Sequence, residues 1–119
     1  MSRLAKAGPD GALPPSDFAA VAAAAAVGEL VVFPTDTVYG LGTSALSAGA
    51  FDRLYAAKGR DPRKPLPVLV ESHGSARRWA DFGPAAEALA GRFWPGALTL
   101  VLSPRPEGRL LLSPGAKTV

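Results

Sequence analysis

The chain has 119 residues, 48% of them hydrophobic and 19% charged, which is enough for one globular domain and excludes a disordered or fibrous protein. It has no cysteine, so disulfides and thiolate metal sites are excluded, and no apolar run approaches the roughly 20 residues of a membrane span. The formal charge of +3 is mild but clustered: Lys58, Arg60, Arg63 and Lys64 fall within seven residues, a density that suits either a solvated loop or the capture of a polyanion.

In chain order, residues 1–14 mix Gly, Pro and small residues without periodicity and read as a flexible arm before a single domain over 15–119. Ser16 is placed to cap a first helix whose inward stripe is Phe18, Val21, Ala22 and Ala25, with Gly28 as its C′ residue. Leu30 to Phe33 is a continuous, β-branched apolar run, the pattern of a strand buried on both faces. Pro34 ends that strand, having no N–H to donate. Thr35, Asp36 and Thr37 then fall where open α/β sheets place ligands, outside a strand's carboxyl end. The same three residues also fit an ordinary polar turn between two strands. Gly40 and Gly42 allow close backbone approach as the chain re-enters the fold.

Ser47 is placed to cap a second helix with Phe51, Leu54, Tyr55 and Lys58 on one side. Gly59 ends that helix, so Lys58 and Arg60 flank a glycine turn and can converge on one anion, a point charge beside a planar fork. Residues 61–67 form a proline-punctuated loop, and Pro67 to Val70 a short strand; if parallel to the first strand, the pair requires a right-handed crossover. The lone His73 reads as a loop residue. Helices are expected over Ser75 to Ala80 and Pro84 to Phe93, the second with Ala86, Leu89, Ala90 and Phe93 inward. Trp79 and Trp94 read as core anchors rather than stacking platforms. Ala97 to Leu102 is a further strand, and Lys117 to Val119 the start of another.

No glycine-lysine phosphate loop, GxGxxG or His/Cys cluster occurs, and one histidine supports no Ser-His-Asp set. From the residues alone the chain is an α/β domain with a polar turn after a strand and a convergent basic pair, most simply an anion or nucleotide site. Enzyme and binding module both remain open at this level.

The segments PTDTVYGLG (34–42), KGR (58–60), KPL (64–66) and WPGALTLVL (94–102), in that order, resemble the YrdC-like family of threonylcarbamoyl-AMP synthases. The resemblance implies a twisted open sheet of mixed strands with flanking helices. It also implies a reaction that joins L-threonine, bicarbonate and ATP, with Mg²⁺, into threonylcarbamoyl-AMP for partner proteins that modify tRNA. It assigns Thr35 to the substrate threonine and Lys58, Arg60 and Thr118 to ATP, with Asp36, Thr37 and Lys64 as additional candidates. No side chain is implied as a covalent nucleophile, and no protein ligand to a metal.

Leu69 stands where many relatives have a histidine. The family's S-x-N motif, and the arginine that follows its counterpart of Thr118, have no match in this sequence. A chain with only these parts is expected to be cytoplasmic, to bind nucleotide weakly, to make little adenylate, and to leave a strand edge unpaired at Ala97 to Leu102 or Leu66 to Val70. The alternative from another class is a non-catalytic module for double-stranded RNA or tRNA, which would use the basic cluster without the threonine turn.

Overall fold

The computed structural model describes residues 2–119. Its contacts divide the chain into two compact units, Met1–Leu54 and Tyr55–Val119.

In the first unit, helix α1 (Pro15–Ala26) starts one residue before the expected cap, with Pro14 at the N-cap and no side-chain cap bond. Proline's fixed φ and missing N–H suit the first helical position, so proline rather than Ser16 starts the helix. The half-buried stripe is Asp17, Ala20, Val21, Ala24 and Ala25, whereas Phe18 is 65% exposed. An alanine-rich helix has no strong apolar face, so a single phenylalanine was a poor guide to which side packs. The C-terminal reading holds. Gly28 has φ +84°, and the bonds Gly28 N–H to Ala25 O (2.9 Å) and Glu29 N–H to Ala24 O (3.0 Å) close a Schellman turn.

Strands β1 (Val31–Phe33) and β2 (Gly40–Gly42) pair antiparallel, Val31 opposite Gly42 and Phe33 opposite Gly40. The apolar run is therefore one arm of a hairpin rather than a strand buried on both faces: Val32 is 65% exposed, and Val31 and Phe33 are half-buried. The two glycines serve the Phe33 ring. A Cβ at Gly40 would lie 2.6 Å from one ring carbon, and a Cβ at Gly42 3.0 Å from another.

Helix α2 (Ala50–Lys58) begins in the first unit and ends in the second. It is entered through a turn, Ala50 N–H to Ser47 O at 3.1 Å, not through a Ser47 side-chain cap. Arg53 reaches back to Gly28 O (2.8 Å) and to Ala48 O (3.1 Å).

The second unit holds α3 (His73–Ala76) and α4 (Pro84–Phe93). A reciprocal capping box between Ser72 and Ser75 starts α3 two residues before the expected position, so His73 is its first residue. Helix α4 has the expected bounds and buries Ala86 and Ala90, while Leu89 and Phe93 remain more open. A 3-10 helix, Glu107–Leu111, packs so closely that a Cβ at Gly108 would strike the Trp79 carbonyl. Residues 66–70 and 97–101 run without ladder partners among the described residues; only Leu102 pairs with Val119, and Ala80 forms an isolated bridge with Pro104. No described helix is long and apolar enough to cross a membrane.

Candidate functional site

The loop from Pro34 to Tyr39 joins β1 to β2 and presents Thr35, Asp36 and Thr37 to solvent. Thr35 organises it: its Oγ1 accepts from the Thr37 N–H at 3.2 Å and donates to the Val38 carbonyl. The polar-turn reading is thus satisfied by one hydroxyl. The Thr37 hydroxyl lies 3.4 Å from Thr35 Oγ1, a long contact at its second acceptor position.

The basic segment is built on the end of α2. Gly59 takes φ +56°, and a second Schellman pair, Gly59 N–H to Ala56 O (3.2 Å) and Arg60 N–H to Tyr55 O (3.1 Å), reverses the chain after Lys58. Two side chains then hold the following loop. The Tyr55 hydroxyl donates to Lys64 O at 2.7 Å, and Arg60 Nη2 donates to Pro65 O at 3.1 Å.

Asp61 takes Arg63 out of contention. It accepts both the Arg63 backbone N–H (2.9 Å) and its guanidinium (2.7 Å at Nη2), and the guanidinium first and the backbone bond second hold the Asp61 carboxyl below its usual range. Of the four clustered cations, then, Arg63 is neutralised locally and Arg60 is anchored by one N–H of its fork. Lys58 and Lys64 are exposed with no ion-pair partner among the described residues.

The loop leads into a cleft of about 460 Å³ whose lining includes Pro65, Leu69, Trp79, Trp94, Leu100 and Thr118. Leu69, at the position where a histidine was expected from the resemblance, is 76% exposed in this wall. His73 is also in the wall, its ring 5.2 Å from Phe82 and 6.2 Å from Trp94. Its Nε2 lies 3.0 Å from Glu87 Oε2 without the alignment of a hydrogen bond. Glu87 is gripped by Arg77, whose fork is the main cause holding that carboxyl below its usual range.

The structure therefore places Lys58 at the end of α2 with Arg60 and Lys64 on the loop that follows, sets Thr118 on the cleft wall of the same unit, and gathers Thr35, Asp36 and Thr37 on one hairpin loop of the other. Sequence reasoning missed Tyr55 and Asp61. For Tyr55 the signal was present, since a tyrosine on an inward stripe needs a partner for its hydroxyl.

A hairpin loop of short hydroxyl side chains and a glycine-turned basic loop define a protein class once the comparisons are added. Residues 23–119 match the family model Sua5_yciO_yrdC, described as "Telomere recombination", and the chain belongs to that family. It is 51% identical over 76 residues to a threonylcarbamoyl-AMP synthase of Pyrococcus abyssi, covering 63% of this chain and 22% of that protein. The Bacillus subtilis threonylcarbamoyl-AMP synthase is 45% identical over 82 residues, covering 66% and 23%, and the Mus musculus protein of that name 37% identical over 92 residues, covering 77% and 32%. The fold is that of the crystal structure of P. abyssi Sua5 complexed with L-threonine, with a TM-score of 0.81 at 39% identity over 91% of this chain and 32% of that one. This is an α/β fold, as the motifs implied, and the chain spans between about a fifth and a third of the length of these relatives.

Proposed function

We propose that the chain supplies the threonine-contacting and triphosphate-gripping loops of a threonylcarbamoyl-AMP synthase that serves tRNA modification in the cytoplasm. The observation carrying this reading is the Lys58-Gly59-Arg60 turn: two cations on either side of a left-handed glycine, on a loop fixed by Tyr55 and Arg60 itself. An ammonium and a fork carried on one ordered turn are suited to a polyphosphate, because the backbone that bears them loses little order on binding.

In the proposed reaction, bicarbonate carboxylates the threonine amine with loss of water, and a carbamate oxygen then attacks the α-phosphorus of ATP. The bond from that phosphorus to the bridging oxygen breaks, and pyrophosphate leaves. Lys58 and Arg60 offset the charge growing on pyrophosphate. Thr35 Oγ1 orients the threonine amine before carboxylation, the amine replacing the long Thr37 hydroxyl contact. No protein nucleophile is required, since positioning and electrostatics carry the step. Thr118 contacts the nucleotide from the cleft wall, with Asp36, Thr37 and Lys64 in supporting roles. Mg²⁺ bound with the triphosphate would supply further charge neutralisation there.

The test is calorimetry of this chain with MgATP and, separately, with a tRNA transcript. The proposal expects ATP binding that weakens on Lys58→Ala or Arg60→Ala. Binding of tRNA with no response to ATP would favour the RNA-module reading.

A further inference from the structure

Pro65 is exposed, in a proline-punctuated loop, yet every backbone polar group from the Lys64 N–H to the Leu66 N–H has a partner. Lys64 N–H donates to Asp61 O at 3.0 Å. Lys64 O accepts from the Tyr55 hydroxyl at 2.7 Å, Pro65 O accepts from Arg60 Nη2 at 3.1 Å, and Leu66 N–H donates to Ser113 Oγ at 2.8 Å. Proline itself has no N–H to satisfy. A surface loop can leave such groups to water at little cost, so three side chains committed to three neighbouring backbone groups call for a reason.

The reason is geometric. Pro65 C=O and Leu66 N–H are the two sides of one planar amide, so the serine that holds the N–H also sets the direction of the carbonyl. Lys64 C=O belongs to the preceding amide, which Tyr55 holds. Between the two planes only the Pro65 φ and ψ can turn, and the ring keeps φ at about −65°. With both planes pinned, ψ is fixed as well, and the Pro65 carbonyl has one direction. That carbonyl meets the Arg60 guanidinium.

The two anchors are buried and come from distant parts of the same unit. Tyr55 is 4% exposed on α2, and Ser113 is 4% exposed just past the 3-10 helix Glu107–Leu111. A buried serine hydroxyl needs a partner, and Leu66 N–H supplies it. Arg60, by contrast, is an exposed loop residue, and a long side chain left free there would lose its rotamer freedom on seizing an anion. A guanidinium carries five donors, so one N–H on Pro65 O orients the fork and leaves the others for a ligand.

We propose that Tyr55 and Ser113 are positioning residues that act through the Pro65 carbonyl to aim Arg60 at the triphosphate of a nucleotide, a role that rests on the reading of Arg60 as a triphosphate ligand. Neither hydroxyl touches the anion. Their influence reaches it through Arg60 alone, and Lys58, on the other side of the glycine turn, stands outside this chain of contacts. Loss of either hydroxyl therefore weakens nucleotide binding only while Arg60 is present.

The test uses the full 119-residue chain with MgATP as the probe, and the variants Tyr55→Phe and Ser113→Ala, each of which removes a hydroxyl and little volume. Calorimetry gives the MgATP affinity of each variant in the parent, in Lys58→Ala and in Arg60→Ala. The expected loss is about threefold or more in the first two backgrounds, the size of one hydrogen bond, with no further loss in Arg60→Ala. An equal loss in Arg60→Ala would mean a general loosening of the unit and would overturn the proposal. So would parent affinity in both variants. A second measurement needs no nucleotide: nitrogen relaxation of the Arg60 Nε–H in the ligand-free chain, where both variants should lose side-chain order. If Arg60→Ala leaves MgATP affinity unchanged, the triphosphate reading fails and relaxation decides the rest. Unchanged order then overturns the positioning role, whereas lost order upholds Tyr55 and Ser113 as the residues that aim Arg60 and removes only its ligand. Should Ser113→Ala not fold, Tyr55→Phe reaches the same carbonyl from the other amide and decides by the same criteria.

Discussion

Thr35 holds its own loop together and, in the proposed site, orients a substrate amine, and the two roles separate experimentally. Thr35→Ala removes the acceptor for the Thr37 N–H, the donor to Val38 and the contact with the Thr37 hydroxyl, whereas Thr35→Ser keeps all three. Threonine binding in a full-length relative should be lost with alanine, with ATP binding retained, and should return with serine; an unchanged threonine affinity in the alanine variant would sink the assignment. For the basic pair, Lys58→Ala and Arg60→Ala should each weaken ATP binding by about tenfold or more, since losing a charge-assisted contact costs about 1.5–3 kcal/mol. Calorimetry that leaves both variants within about twofold of the parent would refute the grip. Arg63→Ala is the internal control. Its guanidinium is already spent on Asp61, so ATP affinity should hardly move.

At the scale of elements, the hairpin depends on the space its glycines leave. Gly40→Ala would push a methyl group to 2.6 Å from the Phe33 ring and should cost about 1–3 kcal/mol, as overpacking does. The double variant Gly40→Ala with Phe33→Ala should cost less than the sum of the singles, because the clash needs both partners; a strictly additive cycle in denaturant melts would show that the ring is not what the glycine serves. Helices α3 and α4 are joined by Arg77 and Glu87. The Glu87 carboxyl is held below its ordinary 4.5, first by the Arg77 hydrogen bond. A depressed carboxylate contributes stability above its unfolded pKa and loses it as pH falls through the folded value. Acidification below about pH 4.5 should therefore lower the melting temperature of the parent more steeply than that of Glu87→Gln. The difference should be small, because the pair is largely exposed; parallel melting curves for the two proteins would remove Glu87 from the acid response.

Legibility in the sequence followed chemistry that is local. Gly28 and Gly59 were readable as helix terminators because a left-handed C′ residue is nearly a glycine monopoly, and α4 was readable between a proline and the Trp94-Pro95-Gly96 stop. The pairing partner of Leu30 to Phe33 was not, since an apolar run looks alike in a parallel core strand and a half-open hairpin. Nor was the loss of Arg63 from the basic cluster. That depends on a two-residue turn placing Asp61 beneath it, which counting charges does not reveal. Thr35 and Lys58 stood out as candidates because a hydroxyl just past a strand and an ammonium beside a glycine turn are visible in the sequence, whereas Tyr55 acts through a hydroxyl on an otherwise buried side chain.

At the scale of the whole molecule, the chain spans between 22% and 32% of three relatives named as threonylcarbamoyl-AMP synthases, so it can be asked what this portion does by itself. In the proposed site the parts it holds are those that would grip: a hydroxyl loop, a fixed basic turn and a cleft wall bearing Thr118. The 119 residues contain no S-x-N motif, so in these residues alone fewer groups are available to hold the nucleotide, and the free energy of a transition state spread over attacking and leaving oxygens has fewer contacts to draw on. Binding should therefore survive better than turnover. Incubated with MgATP, bicarbonate and threonine, the 119-residue chain should show weak, Lys58-dependent nucleotide binding while yielding little or no threonylcarbamoyl-AMP by mass spectrometry. Light scattering on the same sample reports whether the open backbone of Thr99–Val101 draws copies together. Turnover of about 1 per second or faster, within the ordinary enzyme range, from a monodisperse monomer would show that the grip and the chemistry reside in these residues alone, and that the groups counted as missing are not what the reaction uses.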